Sequence, residues 1–446
     1  MALMQDTWKQ VYAAFDPTMR VEFDDGDLYV GRPGAVAQSI VDDLRLGLDP
    51  LGKWVVCGAM GSGKSSEIVQ LARLLSDSHA VIGLDLPRSV ARVDRLAPAE
   101  VLYLIGLAAI RAARDLWKHD ISTETVAELH ASFSPLLNES AREINPGEVL
   151  QGVALLTAHA LGSSTMVAVT GVAARAAAGL VPGKLKFARG TTLGGSARPM
   201  KDGDPDLERL QAAVDGVLAE IAIYRPPVVL VDGLDKIQEL RPIRDLFSGS
   251  QLLSLPHAPV VYTGPITLML ATEWQQVAGR VHRARLTNVI SRRPDPPHIS
   301  VDDVKIAAGV AALEEVVAYR LRRLSLVPDD IFSAGSLARL IAASGGLLRD
   351  LIQLVNRAIR WCLRHDSGEI TAQAVDEALI ELRREYEITL NGKRVEELIY
   401  VARNGEPSGN GDVSAELLLG GYVLPYANGR VWFAPHAILR GLRPGL

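Results

Sequence analysis

Eight consecutive residues carry the densest chemistry in this 446-residue chain: Gly58-Ala59-Met60-Gly61-Ser62-Gly63-Lys64-Ser65. The spacing G-x4-G-K-S needs glycines so that backbone N–H groups can turn inward around phosphate oxygens. A helix starting at that point adds its positive dipole end. Lys64 can then reach the β- and γ-phosphates, and Ser65 offers a hydroxyl to Mg²⁺. Gly58, Gly61, Ser62, Gly63, Lys64, Ser65 and Ser66 are therefore expected to bind the phosphates of ATP.

A second run, Val228-Val229-Leu230-Val231-Asp232-Gly233-Leu234-Asp235-Lys236, places an acid at the end of four apolar residues. Asp232 is expected to end a central strand beside the phosphate loop and to hold Mg²⁺ with Ser65. Asp235 is placed to orient an attacking water, or simply to cap a helix. Thr263 ends a further apolar run and is placed to sense the γ-phosphate, or to turn the chain at Thr-Gly-Pro. Arg349, in Ser344-Gly345-Gly346-Leu347-Leu348-Arg349, opens a helix; its guanidinium could fold back onto the phosphates or stay at the surface. Arg280, Arg283 and Arg285 could act on a neighbouring copy's nucleotide or form a solvated face.

These groups need elements to hold them. Strands are expected at 54–57, 80–85, 228–231, 259–263 and 285–290, alternating with helices that include 99–118 and 206–223. That alternation predicts a parallel α/β sheet. After about 302 the pattern is helical only, with helices at 302–324, 334–344, 347–365 and 371–387. The tail carries helices near 394–403 and 412–419, then a hairpin, YVLPYANGRVWF, turning at Asn428-Gly429. The expected organisation is an α/β P-loop domain over 1–300 with an inserted segment near 120–205. An all-helical lid follows over 301–388, and a small winged-helix-like domain over 389–446.

Composition narrows the class. Hydrophobic residues make up 48% and charged residues 22%, so the chain can bury a core without staples. Its two cysteines, Cys57 and Cys362, have no zinc-ribbon or disulfide spacing. The net charge of −5 excludes a global basic field. The tail from 389 holds six Lys/Arg and five Asp/Glu. That balance favours protein contact over DNA for the wing. The N-terminus lacks a long apolar run, so a cytoplasmic protein is expected. Val149 to Ala174 contains no Asp, Glu, Lys or Arg. Its Thr, His, Ser and Gly content favours a buried or lid-forming helical hairpin over a membrane insertion.

Together, these motifs resemble the AAA+ superfamily over about 25–387, in its initiator-like branch and the related STAND signalling ATPases. Tyr29-Val30-Gly31-Arg32 resembles the N-terminal nucleotide-contact segment of those proteins, which implies that Gly31 and Arg32 touch the nucleotide. Gly233 after the Mg²⁺ acid is similar to the STAND pattern; most other AAA+ enzymes carry the catalytic Glu there. The resemblance thus implies slow hydrolysis, with Asp235 as the substitute. It also implies sensor roles for Thr263 and Arg349. DGLDK looks like the KAP family, whose members often insert membrane helices between the two nucleotide motifs. The expected function is an ATP-dependent switch or assembly factor that self-associates or contacts a protein effector, as in bacterial signalling or anti-phage defence. The alternatives are a DNA-engaged initiator-like or transposition-regulator-like ATPase and a membrane-associated KAP-type NTPase.

Overall fold

The computed structural model describes residues 5–19, 29–90, 92–138, 149–150, 153–155, 193–198, 204–247, 252–270, 279–294, 298–409 and 411–442. Six strands form one sheet: β1 (Lys53–Gly58), β2 (Ala80–Asp85), β3 (Ala154–Leu155), β4 (Pro227–Asp232), β5 (Val260–Pro265) and β6 (His282–Leu286). Their order is β3-β2-β4-β5-β1-β6, all parallel except the short edge pairing of β3 with β2. β5 therefore separates the strand that ends in the phosphate loop from the strand that ends in Asp232 and puts Thr263 between them.

β1, β2, β4 and β5 are buried along their whole length. Alternation sorts their side chains onto two faces. Val55, Cys57, Ile82, Leu84, Val229, Val231 and Tyr262 join the core under α4 (Pro98–Trp117) and α6 (Pro205–Ala222). Trp54, Val56, Val81, Val228, Leu230 and Val261 pack under α2 (Ala37–Arg45) and α3 (Lys64–Leu75). Such two-sided burial is why these strands read as unbroken apolar runs. The loops that follow β1, β4 and β5 thus gather at the carboxyl edge of the parallel strands, where open α/β sheets bind ligands.

Two expectations change here. The strand expected over 285–290 forms at His282–Leu286 instead. Residues 287–290 leave the sheet because their backbone is used elsewhere: Asn288 N–H donates to Pro425 O at 2.9 Å and Val289 N–H to Gly346 O at 3.4 Å. The inserted segment begins later than 120, because α5 (Thr123–Phe133) packs against α4 and α6 as part of the domain. Its two flanks are tied together: Asn138 N–H donates to Ser196 O at 2.8 Å, and Arg198 N–H to Leu136 O at 2.7 Å. Glu100 accepts the N–H groups of Gly194, Gly195 and Ser196.

Most of the uncharged stretch 149–174 lies outside the described residues. Where it is described, 149–150 are helical and Ala154–Leu155 form the edge strand β3; the rest of the expected helical hairpin lies outside the described residues. No helix among the described residues is long and apolar enough to cross a membrane.

Beyond α7 (Leu240–Phe247), four helices follow the sheet: α8 (Asp303–Arg322), α9 (Ser336–Ala343), α10 (Leu348–His365) and α11 (Ala372–Glu387). The N-terminal helix α1 (Gln5–Ala14) packs on this block, although the sequence groups it with the sheet in the expected 1–300 domain. Asn356 Nδ2 donates to the carbonyls of Tyr12 and Phe15, and Arg320 Nη1 to Ala14 O at 2.6 Å. The tail holds α12 (Gly392–Asn404), α13 (Gly411–Leu419) and a hairpin of β7 (Val423–Asn428) with β8 (Arg430–Pro435). Tyr426 and Trp432 stack across the hairpin at 4.5 Å.

Candidate nucleotide site

The loop between β1 and α3 turns as its glycines allow. Gly61 has φ +88°, and a Cβ placed there would lie 2.4 Å from Arg349 Cβ, so only glycine fits beneath Arg349. Arg349 lies on the loop in two ways, since its N–H also donates to Gly61 O at 3.2 Å. The sheet and the helical block therefore meet across the phosphate loop.

Lys64 is 3% exposed. Its Nζ donates to Gly58 O at 2.9 Å and Ala59 O at 2.8 Å, and lies 2.9 Å from Asp235 Oδ2. Burial pulls the Lys64 ammonium's pKa down, and Asp235 opposes that pull. Burial alone would raise Asp235, but Lys64 and Lys236 outweigh it and hold the carboxyl below the usual carboxylate range. Asp235 is thus a weak proton acceptor; it can hold Lys64 and orient a water, but it is poorly suited to be a general base.

Asp232 is fully buried at the end of β4, paired in register with Asp85 at the end of β2. Asp85 accepts from Arg88 N–H at 3.2 Å and caps the one-turn helix Leu86–Ser89. Among the described residues, no cluster of three or more His, Cys, Asp or Glu could enclose a metal ion. The donors available, the Ser65 hydroxyl and the Asp232 carboxylate, are hard oxygens. They fit Mg²⁺, which keeps several waters and binds mainly to phosphates.

Gly233 has φ +110°, and a Cβ there would meet Pro87 Cδ at 2.2 Å. The position next to Asp232 is closed to any side chain, including glutamate. Its N–H donates to Thr263 Oγ1 at 2.8 Å, and the same hydroxyl lies 3.5 Å from Asp235 Oδ1. Thr263 is fully buried and acts by tying the Asp232 turn to Asp235.

A cavity of about 520 Å³ opens beside the loop. Of the residues expected from sequence, Arg32, Gly61, Gly63, Lys64, Ser65, Ser66, Asp235 and Arg349 line it. Tyr29, Val30, Val289, Ala312, Val316 and Leu348 form an apolar part of its wall. Gly58, Ser62, Asp232 and Thr263 are not part of its lining, and Gly31 lines a second cavity that shares Tyr29, Val30, Arg32 and Ala312 with the first. Arg32 bonds the loop itself: Nη2 donates to Ser62 O at 2.6 Å and Nη1 to Thr287 O at 3.1 Å. Arg283, on edge strand β6, donates to the carbonyls of Leu268 and Met269.

Two groups escaped sequence reasoning. Glu67, one turn into α3, is 1% exposed and reaches the 29–37 segment; its only sequence signal is an acid in a helix's first turn. Asp350, next to Arg349, accepts from Tyr386 OH at 2.8 Å and lies 3.1 Å from His436 Nε2 in the tail. That Nε2 sits off the hydrogen-bonding direction, so the two groups are in contact without a hydrogen bond. No local pattern announces a contact 86 residues apart in the chain.

No protein-family model matches the chain, and no curated protein matches it. Among solved structures it is similar to the Aeropyrum pernix ORC2 protein (ADPNP–ADP complexes), at 12% identity and a TM-score of 0.41 over 95% of this chain and 93% of that one. It is also similar to the Aeropyrum pernix ORC1 protein in complex with DNA, at 12% identity and 0.39, covering 95% and 97%. Drosophila ORC bound to DNA gives 11% identity and 0.38, covering 98% and 92%. With TM-scores below 0.5, these superpositions assign neither fold family nor function to this chain.

Proposed function

We propose that this chain is an ATP-binding P-loop ATPase working as a nucleotide-dependent switch. One observation carries the reading. Arg349 rests on the phosphate loop, while the adjacent Asp350 is hydrogen-bonded by Tyr386 of α11 and lies 3.1 Å from His436 of the tail. A shift of Arg349 is therefore passed to the tail across a single peptide bond. A second tie runs in parallel, from Tyr426 OH to Gly345 O at 2.6 Å.

In this reading the loop N–H groups and Lys64 bind the phosphates. Lys64 is released from the Gly58 and Ala59 carbonyls as it turns to them, and Asp235 keeps its ammonium in place. Ser65 and Asp232 would hold Mg²⁺, which when bound would neutralise phosphate charge. Asp235 orients water, and Thr263 seats Asp235 from behind. With no glutamate at 233, turnover is slow, and hydrolysis serves as the reset.

Hydrogen exchange tests the coupling. ATP is expected to change protection over 422–442, and Arg349→Ala to remove that response while weakening ATP about tenfold and ADP little. His436→Ala is expected to keep ATP affinity within about threefold and to cost about 1–3 kcal/mol of stability. It should also silence the tail's response. An unchanged response in His436→Ala would overturn the relay. Light scattering with ATP, ADP and no nucleotide tests self-association.

A DNA-engaged ATPase is the second reading, supported by the two-helix-and-hairpin tail. Against it, Asn428 at the hairpin end donates to Ser300 O at 2.6 Å and accepts from Lys305, so the wing is folded onto its own chain. A duplex shifted at about 150 mM salt, and lost in Arg430→Ala, would favour DNA.

A further inference from the structure

The cavity is larger than a phosphate chain needs, and its apolar wall includes Tyr29, Val30 and Leu348. What keeps the 29–37 part of that wall in place is a carboxylate from the phosphate-loop helix. Glu67 Oε1 accepts from Tyr29 OH at 3.1 Å. Its Oε2 accepts from Val36 N–H at 2.8 Å and Ala37 N–H at 2.9 Å. Those two N–H groups open α2, whose N-cap Val36 has no capping side chain of its own. Ala37 is 1% exposed, so without Glu67 the start of α2 would bury unpaired donors.

The charge makes this placement informative. A buried carboxylate three residues after Lys64 is costly to desolvate and persists only where donors repay it. Three donors to its two oxygens offset the desolvation. Arg32, clamped to Ser62 O and Thr287 O, fixes the same segment at a second point and sets a positive charge near Glu67. Burial and Glu67 both raise the Tyr29 phenol above its ordinary range, so it stays a neutral donor.

We propose that Glu67 is the positioning residue for the nucleoside half of the site: it holds Tyr29 and the start of α2 against the phosphate-loop helix and so builds the wall that the base and ribose contact. The proposal rests on the nucleotide-binding reading above. It separates two parts of one affinity. Phosphate binding belongs to the loop, and the additional affinity from the nucleoside belongs to the wall.

The test compares ATP with inorganic tripolyphosphate, each with Mg²⁺, by calorimetric titration of the full chain. Glu67→Ala is expected to weaken ATP about tenfold or more while leaving tripolyphosphate within about twofold. Glu67→Gln keeps an acceptor for the two α2 N–H groups and should recover most of the ATP affinity. Tyr29→Phe, which removes one hydroxyl and leaves the fold intact, should lose about threefold for ATP alone. Equal weakening of both ligands in Glu67→Ala, or undiminished ATP affinity, would overturn the proposal. A wild-type chain that binds tripolyphosphate as tightly as ATP would overturn it while leaving phosphate binding in place. A chain that binds neither ligand would remove the nucleotide reading and this inference with it.

Discussion

Replacing Lys64 with alanine is expected to abolish ATP binding, weakening it by at least about a hundredfold, and to reduce turnover to background. Lys64 is the buried ammonium facing the cavity beside the loop, and nothing else on α3 can replace a charge delivered at that point. The same change has a cost in the fold. Asp235 loses its 2.9 Å ion-pair partner and keeps Lys236 and the Thr263 hydroxyl, each at 3.5 Å. Removing one member of a buried pair leaves a desolvated charge, so a loss of about 1–3 kcal/mol is expected, reduced from the full penalty by Lys236. Lys64→Ala with Asp235→Asn separates the two effects. The double variant should regain thermal stability and still bind no ATP. Tight ATP binding by Lys64→Ala would refute the assignment of the loop.

Gly233→Glu is the second change of large expected effect. By the resemblance to AAA+ enzymes alone, it would supply the glutamate that most of them carry at this position, and faster turnover would be the naive expectation. The geometry predicts the opposite. A backbone at φ +110° strains any residue with a Cβ, by about 1–2 kcal/mol. The collision with Pro87 forces further movement, costing about 1–3 kcal/mol more. The shift would also disturb the Gly233 N–H to Thr263 bond and, through Thr263, the seating of Asp235. The variant should unfold at lower temperature and turn over ATP no faster than the wild type. Gly233→Ala should show most of the stability loss, since the Cβ alone causes it. A stable, faster Gly233→Glu enzyme would show that residue 233 is not closed.

The phosphate loop, the strand ending in Asp232 and the helical block were legible because each is local. A glycine spacing, an apolar run and a 3.6-residue period are written in consecutive residues. The helix ends expected at 99–118, 206–223 and 347–365 fall within two residues of those observed. The end of β6 was not legible, because residues 287–290 are apolar enough for a strand. They leave the sheet only because Gly346 and Pro425, distant in the chain, take up their N–H groups.

The sequence by itself determined the residue types proposed to serve a phosphate and its Mg²⁺: glycines that turn, a lysine, a serine and an acid at a strand's end. Tertiary structure decided what each one touches. Inserting β5 between β1 and β4 placed Thr263 where its hydroxyl serves Gly233 and Asp235. Folding the helical block over the loop put Arg349 on Gly61 and Asp350 against His436. Packing α2 on α3 turned Glu67 from a first-turn acid into the holder of the 29–37 wall. The reason is physical. Local patterns specify backbone geometry over a few residues, whereas partners for buried charges come from whichever segments the core brings together, and Pro87, Arg349 and His436 reach their positions only through that packing.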